Sequence, residues 1–201
     1  MVGRRRQILD RFDALGLAHL QSWQTRIHGD YHLGQVLKVG SDLVILDFEG
    51  EPARPLAGRR AKQSPLKDVA GMLRSFSYAV YMSLINYAAA HPESMARLEP
   101  WARFWEHTVS AEFLRAYRKT TREKGLLHVD EADFRRPLDV FLIEKALYEV
   151  MYELNARLAW VRIPLMGLLS LTGPVGAPAW PARSPGTDLD RSSAGHRQDR
   201  P

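Results

Sequence analysis

The stretch RIHGDYHLGQVLKVGSDLVILDFEGEP, residues 26–52, joins polar, chemically versatile side chains to the pattern of a short β-hairpin. Its apolar runs QVLKV and LVILDF flank a Gly-Ser-Asp turn, which predicts two antiparallel strands. A hairpin returns the chain beside its own start, so residues before the first strand lie next to residues after the second. The stretch therefore predicts one polar site built from both ends of a hairpin.

Asp30 and Gln35 are five residues apart, in the pattern H-G-D-x-x-x-x-Q. Protein kinases have Asp and Asn at the same interval in the catalytic loop H-R-D-x-x-x-x-N, and D-F-G follows after it. Here DFEG at residues 47–50 takes the later position. Phosphoryl transfer needs a group that accepts the proton of the acceptor hydroxyl, together with oxygen ligands for Mg²⁺. We therefore expect Asp30 to be the catalytic base, with Gln35 and Asp47 holding Mg²⁺ and ATP as the co-substrate.

Neighbouring residues are expected to shape this site. His28 is expected to hold the catalytic loop by hydrogen bonding, and Gly29 to allow a tight turn that a side chain would obstruct. Glu49 is expected to be a structural part of the metal loop. For His32 two interpretations stay open, a place in the substrate pocket or a packed position beneath the loop.

Two alternatives compete with a phosphotransferase site. Loops are generally rich in Asp, Gly and His, so the stretch is also compatible with an ordinary polar surface. A metal-hydrolase site of His28, Asp30, His32 and Asp47 is possible because alternating His-x-Asp-x-His places donors on one face of an extended segment. That alternative leaves Gln35 and the hairpin unexplained.

The composition favours a single ordinary domain. At 201 residues and 45% hydrophobic content, the chain is long enough to bury a core, and we assign it to residues 1–172. The tail at residues 173–201 contains five Pro and four Gly, and we expect it to be disordered.

Charge and cysteine content exclude several functions. The chain has no Cys, which rules out disulfides and thiolate metal sites and fits a cytoplasmic location. The formal net charge is +5, but the basic residues form no long run, so we expect no nucleic-acid partner. Neither a signal peptide nor a membrane span is visible in the sequence, and we expect no membrane partner.

Helical periodicity dominates the rest of the chain. Trp101 and Trp105 are assigned to the core without a function, and Arg59 to a solvated, irregular basic loop before Ser64. Asp133 is expected to cap the last long helix. The expected helices cover residues 4–15, 66–90, 95–119 and 137–160, followed by a short apolar segment at 165–171.

Four stretches resemble the carboxy-terminal lobe of maltokinase, a domain that also occurs fused behind trehalose synthase. They are RIHGDYHLGQVL, ILDFEGEPARPL, SPLKDVAGMLRSF and EKALYEVMYELNARLAWVRIPLMGL, and the resemblance covers about residues 5–170. It implies a mainly α fold with a small β-hairpin, the carboxy-terminal lobe of a protein-kinase-like (aminoglycoside phosphotransferase-like) structure. It also implies Mg²⁺-dependent transfer of the ATP γ-phosphate to maltose, which gives maltose 1-phosphate for glycogen and α-glucan synthesis.

The same resemblance implies where the sugar binds. In the family the EKALYEVMYELN helix supplies maltose contacts, and here Lys145, Tyr148 and Tyr152 share one helical face. Without the resemblance, the two tyrosines are typical of core aromatics. The family usually reads close to YELNNRPDW where this chain has YELNARLAW, so Ala156, Leu158 and Ala159 alter the expected pocket rim.

The amino-terminal nucleotide-binding lobe of such a kinase has no counterpart in the sequence. Only 27 residues precede His28, and no Gly-rich strand-turn-strand pattern occurs among them. We therefore expect a truncated or split lobe that is inactive alone, with a separately encoded amino-terminal lobe or trehalose synthase as a possible partner. The alternatives are the lobe of another sugar or aminoglycoside kinase, and a non-catalytic module that binds maltose or another protein.

Overall fold

The computed structural model describes residues 5–13, 24–126 and 130–172, which form helices, one hairpin and the loops that connect them. The tail expected over residues 173–201 lies outside them. The helices are α1 (Arg5–Asp13), α2 (Leu56–Arg60), α3 (Leu66–Ala90), α4 (Ser94–Glu123), α5 (Glu131–Ala156) and α6 (Arg162–Leu171), with 3₁₀ turns at Leu33–Gln35 and Leu158–Trp160. The strands are β1 (Val36–Val39) and β2 (Asp42–Ile45).

The predicted hairpin is present, and its register places the two polar segments together. Strands β1 and β2 are antiparallel, and Val36 pairs with Ile45 at the open end. Gly40 turns the chain with a φ of +62°, a conformation that glycine adopts without steric cost. Beyond the strands, the amide of Leu46 donates to the carbonyl of Gln35 at 2.9 Å. The ladder therefore continues to the point where the predicted catalytic and metal segments meet.

Helix α3 is the centre of the core, as its apolar surface predicts. It packs against α4, α5 and α6, and Leu73 in its first half is fully buried. On α5, Leu142, Ile143 and Ala146 are likewise fully buried against it. Burial of this surface drives the folding of the described domain, and it fixes the start of α3 beneath the polar segments.

We expect Leu73→Ala to destabilise the domain by about 2–5 kcal/mol, because it removes buried methyl groups and leaves a cavity in a close-packed core. Leu37→Ala is the matched control, since Leu37 on β1 is 50% exposed. The control should change the free energy of unfolding by less than about 0.5 kcal/mol. Urea denaturation measures both values, and equal losses would contradict the assignment of Leu73 to the core.

The cap of α5 differs from the sequence prediction. The helix begins at Glu131, not near Pro137, and its cap is Asp130, whose Oδ1 accepts from the amide of Asp133 at 2.7 Å. The prediction of Asp133 as the cap was therefore wrong by one turn. Proline is commonest in a first turn, which led to the later start, but here Pro137 lies inside the helix.

Three further expectations require correction. Helix α5 ends at Ala156, since Arg157 leaves helical geometry with a φ of −149°, so Trp160 belongs to a separate 3₁₀ turn. Trp101 and Trp105 are 68% and 42% exposed on α4 and lie outside the core. Arg59 lies on the short helix α2 rather than in an irregular loop.

None of the helices in the described ranges combines the length and apolar character needed to cross a bilayer.

Candidate active site

The segment that contains Asp30 is fixed to the start of α3 by Asp68. The amide of His28 donates to Asp68 Oδ2 at 2.7 Å, and the amide of Gly29 donates to Oδ1 at 2.9 Å. Burial raises the pKa of the Asp68 carboxyl, although these two backbone donors oppose the shift. A single carboxylate thus orients two successive peptide groups immediately before Asp30. Sequence reasoning missed Asp68, because its partners lie about forty residues away.

We expect Asp68→Asn to loosen this segment, because the amide side chain offers one acceptor oxygen where the carboxylate offers two. One of the two backbone donors, of His28 or of Gly29, would then lose its partner. The opening free energy of that amide should fall by about 1–3 kcal/mol, measured by hydrogen exchange. Asp133→Asn, an exposed site on α5, is the matched control. Unchanged protection of both amides would contradict the anchoring role.

His28 links the two ends of the hairpin from a buried position. Its ring is 6% exposed, its Nε2 lies 2.7 Å from the carbonyl of Leu46, and its Nδ1 accepts from the amide of Asp30 at 3.3 Å. Because Nδ1 accepts, the proton is on Nε2 and is donated to the carbonyl. The ring also packs 4.9 Å from Phe48, measured between centroids. These contacts join the segment that contains Asp30 to the DFEG segment.

Left-handed backbone lets the two segments approach closely. Gly29 has a φ of +85°, and a Cβ added there would lie 3.3 Å from the Cα of Gly50, which itself has a φ of +80°. Asp47 also has a positive φ of 59°, a conformation that Asp tolerates better than most residues. Positive φ at a non-glycine residue stores strain, and such strain is frequent at functional sites.

Asp30 lies between two basic side chains. Lys145 Nζ is 3.8 Å from Asp30 Oδ1, and His32 Nε2 is 3.7 Å from Oδ2. Both distances are longer than hydrogen bonds, so the carboxylate keeps room for another donor such as a hydroxyl. The side chain is 20% exposed, which makes it accessible from outside. Asp30 can therefore accept a proton from a bound alcohol.

Gln35 and Asp47 meet directly across the hairpin. Gln35 Nε2 donates to Asp47 Oδ2 at 3.0 Å, which leaves Gln35 Oε1 and Asp47 Oδ1 as the remaining oxygens of the pair. Amide and carboxylate oxygens are the hard ligands that Mg²⁺ prefers, and this ion keeps several positions for water and phosphate oxygens. The pair therefore fits a Mg²⁺ ion bound by few protein ligands.

The metal-hydrolase alternative lacks such a donor set. Among the described residues, no group of three or more His, Cys, Asp or Glu side chains is arranged to hold a metal ion. His28, which that alternative requires, uses both ring nitrogens in contacts with backbone groups. The paired oxygens of Gln35 and Asp47 remain the candidate metal ligands.

A cavity of about 290 Å³ opens beside the segment that contains Asp30, and the neighbours Gly29 and Tyr31 line it. Lys145 and Tyr148, predicted as substrate-binding residues, both line it, whereas Tyr152 and His32 do not. Its charged lining residues come from the loop after DFEG and from α2, α3 and α5: Glu51, Arg54, Arg59, Lys67, Asp68, Glu144 and Lys145. The size and the mixture of aromatic and polar groups suit a small polar ligand.

Glu51 is a cavity residue that sequence reasoning missed. Its Oε2 lies 4.0 Å from Lys145 Nζ, and its carboxylate is hydrogen-bonded to the Tyr148 hydroxyl. Burial, followed by the charge of Glu51, raises the pKa of Tyr148 to about 12, so the phenol stays protonated at neutral pH and donates. Lys145 Nζ also lies 5.2 Å from the centroid of the Tyr148 ring. The only signal for Glu51 was its place directly after DFEG.

Tyr152 and Glu49 lie away from the cavity. The guanidinium of Arg157 lies 5.2 Å from the Tyr152 ring centroid and 4.1 Å from that of Trp160, so it stacks between two aromatic groups. Glu49 is exposed and forms an ion pair of 3.8 Å with Arg59 Nη1. The helical face that carries the three predicted sugar contacts therefore brings two of them, Lys145 and Tyr148, to the cavity.

Comparison with curated proteins identifies sugar kinases as relatives, and no protein-family model matches the chain. A glucosamine kinase of Mycolicibacterium smegmatis is 31% identical over 144 residues, which cover 72% of this chain and 33% of the relative. A glucosamine kinase of Streptacidiphilus jiangxiensis is 28% identical over 145 residues, covering 72% and 31%. The chain thus spans about a third of the length of the curated relatives it matches.

Solved structures of glucosamine kinase share the fold. One, in complex with glucosamine, ADP and inorganic phosphate, aligns with a TM-score of 0.62 at 22% identity and covers 85% of this chain and 43% of that one. A second, crystal form B, has a TM-score of 0.62 at 23% identity, with coverages of 85% and 44%. The chain therefore has part of a kinase-like fold, mainly helical with one small sheet. Its relatives are sugar kinases, and they do not single out the maltokinases that the sequence resemblance named.

Proposed function

We propose that this chain carries the acceptor- and metal-binding part of an ATP-dependent sugar kinase. The observation that carries the proposal is the contact of Gln35 with Asp47 at 3.0 Å, made where the two ends of the hairpin meet, five residues after Asp30 in the case of Gln35. Two oxygen ligands and a proton acceptor within one compact segment are the groups that phosphoryl transfer requires. Likeness to sugar kinases in sequence and fold supports the same class of reaction.

In the proposed reaction, the oxygen of a sugar hydroxyl forms a bond to the γ-phosphorus of ATP, and the bond from that phosphorus to the β,γ-bridging oxygen breaks. The hydroxyl proton passes to Asp30, and ADP leaves. Mg²⁺, when bound, neutralises charge on the phosphate oxygens. Gln35 and Asp47 would bind the Mg²⁺ ion at the end of the hairpin. Lys145, on α5, would position the carboxylate of Asp30.

The identity of the acceptor sugar is a second part of the proposal, with two candidates. Maltose is the acceptor implied by the sequence resemblance, and Lys145 and Tyr148 offer the ammonium and aromatic ring that suit a disaccharide. Glucosamine is the second candidate, favoured by the names of the relatives and by the carboxylate of Glu51 in the cavity, which complements an amino sugar. The two sugars make different demands on Glu51, so they are separable by experiment.

A nucleotide-binding lobe completes the proposed enzyme. We propose that such a lobe acts together with these residues, either in the same polypeptide or in a partner, of which trehalose synthase is one candidate. In protein kinases such a lobe provides the loop that covers the phosphates and the Lys that contacts them. A binding module without catalysis is the competing function, and the same experiment distinguishes it.

The test is transfer of radioactive phosphate from ATP in the presence of Mg²⁺, with the chain alone and with the amino-terminal segment of the mycobacterial relative added or fused. We expect transfer in the complemented sample, with either maltose or glucosamine as the preferred acceptor, and little transfer by the chain alone. A folded, complemented sample that phosphorylates neither these sugars nor glucose, but still binds one of them, would favour the binding module.

The role of Glu51 decides between the acceptors. Glu51→Gln should reduce the ratio kcat/KM for glucosamine about tenfold or more if that ammonium is bound by the carboxylate, because a charge-assisted hydrogen bond is lost. For maltose the same change should cost much less, since an amide still accepts and donates hydrogen bonds to hydroxyls. Glu49→Gln, an exposed acid close by in the sequence, is the matched control.

A further inference from the structure

A second cavity, of about 450 Å³, lies between α3, α4 and α6. None of the residues that line it also lines the cavity beside Asp30. One wall is apolar and is formed mainly by α6, whereas the opposite wall is polar and is formed by α3 and α4. The polar lining residues of these two helices are Arg74, Ser77, Tyr81, Arg103, Glu106 and His107. A half-polar cavity of this volume falls in the range of small-molecule sites.

Arg74 is the central polar group of this cavity, and its hydrogen bonding is incomplete. Its side chain is 5% exposed, its Nε donates to Glu149 Oε2 at 2.8 Å, and its Nη1 donates to Ser77 Oγ at 3.3 Å. Its Nη2 is buried and has no hydrogen-bond partner within the described part of the chain. A buried donor on a charged group that lacks an acceptor is costly, so a bound oxygen atom would stabilise it.

Gly167 makes room for this guanidinium. A Cβ at position 167 would lie 2.2 Å from Arg74 Nη1, closer than any side chain permits. Glycine inside a helix costs about 1 kcal/mol relative to alanine, and here it lies in the middle of α6. The guanidinium is therefore held in a fixed position, between Glu149 on α5 and the backbone of α6.

The donors that line the cavity suit an oxyanion. Arg74 and Arg103 are permanently cationic, and His107 adds an imidazole. The carboxylates around them already have partners, since Glu149 is paired with Arg74, Glu99 with Arg103, and Glu106 accepts a hydrogen bond from Ser77. Guanidinium groups bind carboxylates and phosphates through parallel N–H donors. We propose that the cavity between α3, α4 and α6 is a second binding site, which takes a small oxyanion, a carboxylate or a phosphate, on the buried guanidinium of Arg74. This proposal does not depend on the proposed kinase function.

The test is calorimetric titration of the full chain with inorganic phosphate and, in a separate arm, with citrate, at constant ionic strength in chloride. Saturable binding of either anion at one site supports the proposal. The anion with the lower Kd shows whether the site prefers a phosphate or a carboxylate. If neither anion binds saturably, the proposal is overturned. Asp30→Asn should bind the anion unchanged, which separates this site from the kinase site.

Variants on α4 locate the binding. Arg103 is exposed by 60%, so Arg103→Gln should fold and should raise the Kd about tenfold or more by removing a charged donor. Arg115→Gln is the matched control, because Arg115 is 67% exposed on the same helix, is also paired with a Glu, and does not line the cavity. Equal losses of anion affinity in the two variants would indicate non-specific charge effects and would contradict the proposed site.

Two further variants complete the test. Arg74→Gln should abolish binding, and if this buried change prevents folding, the comparison of Arg103 with Arg115 still decides the outcome. Arg59→Gln removes a cation from the first cavity and should leave the Kd unchanged. Loss of binding in Arg59→Gln with full binding in Arg103→Gln would place the anion beside Asp30 and would contradict the proposal.

Discussion

Asp30→Asn is expected to lower the kcat of the complemented kinase by about 10²–10⁴-fold, the usual contribution of a positioned general base. The amide has the size of the carboxylate but cannot accept the hydroxyl proton at neutral pH. It also loses the charge that faces Lys145 at 3.8 Å. We expect KM for the sugar to change much less than kcat, because the proton moves only in the transition state.

The control for this variant is Asp42→Asn, which alters an exposed carboxylate at the turn end of β2. It should leave kcat within about twofold of the parent protein, since solvent and salt screen an exposed charge that does not contact the site. Equal activity of the Asp30→Asn variant and the parent protein would remove Asp30 from the reaction.

Asp47→Asn is expected to raise the Mg²⁺ concentration needed for half-maximal transfer by about 10–100-fold or more. Loss of a residue that only supports a metal ligand already costs about this much in metal affinity. Asn is the appropriate replacement, because Asp47 has a φ of +59° and Asn also tolerates this left-handed conformation. The backbone should therefore be kept while one anionic oxygen is lost.

The measurement is the Mg²⁺ dependence of phosphate transfer at fixed, saturating ATP and sugar. Glu49→Gln, in the same segment but 76% exposed and paired with Arg59, serves as the control and should keep the parent Mg²⁺ requirement. An unchanged requirement in Asp47→Asn would mean that the ion is bound elsewhere, and Gln35 would then lose its proposed role as well.

Sequence patterns within short segments predicted the elements that depend mainly on neighbouring residues, namely the hairpin and the central helix. The alternating apolar runs and the turn at Gly40 predicted the hairpin, and the apolar surface of residues 66–90 predicted α3 with its observed bounds. The start of α5 was missed because Pro137 suggested a later first turn, and because Asp130 and Asp133 are both residue types that favour a cap position.

The residues that complete the site could not be predicted from spacing. Asp68 and Glu51 matter because helix packing brings them to His28 and Tyr148, and that depends on tertiary contacts between distant segments. Helical periodicity placed Tyr152 on the same face as Lys145, yet Tyr152 contacts Arg157 and does not line the cavity. A periodicity defines a face of a helix, and only the neighbouring elements determine which of its residues reach a ligand.

The most direct measurement maps a bound paramagnetic ion on the full chain by NMR, with Mn²⁺ in place of Mg²⁺. The central claim is that the hairpin gathers Asp30, Gln35 and Asp47 around one metal site. We expect Mn²⁺ to broaden the amide signals of residues 29–30, 34–35 and 46–48 first, and Asp47→Asn to remove this broadening. Broadening centred on another part of the chain, or unaffected by Asp47→Asn, would contradict the claim.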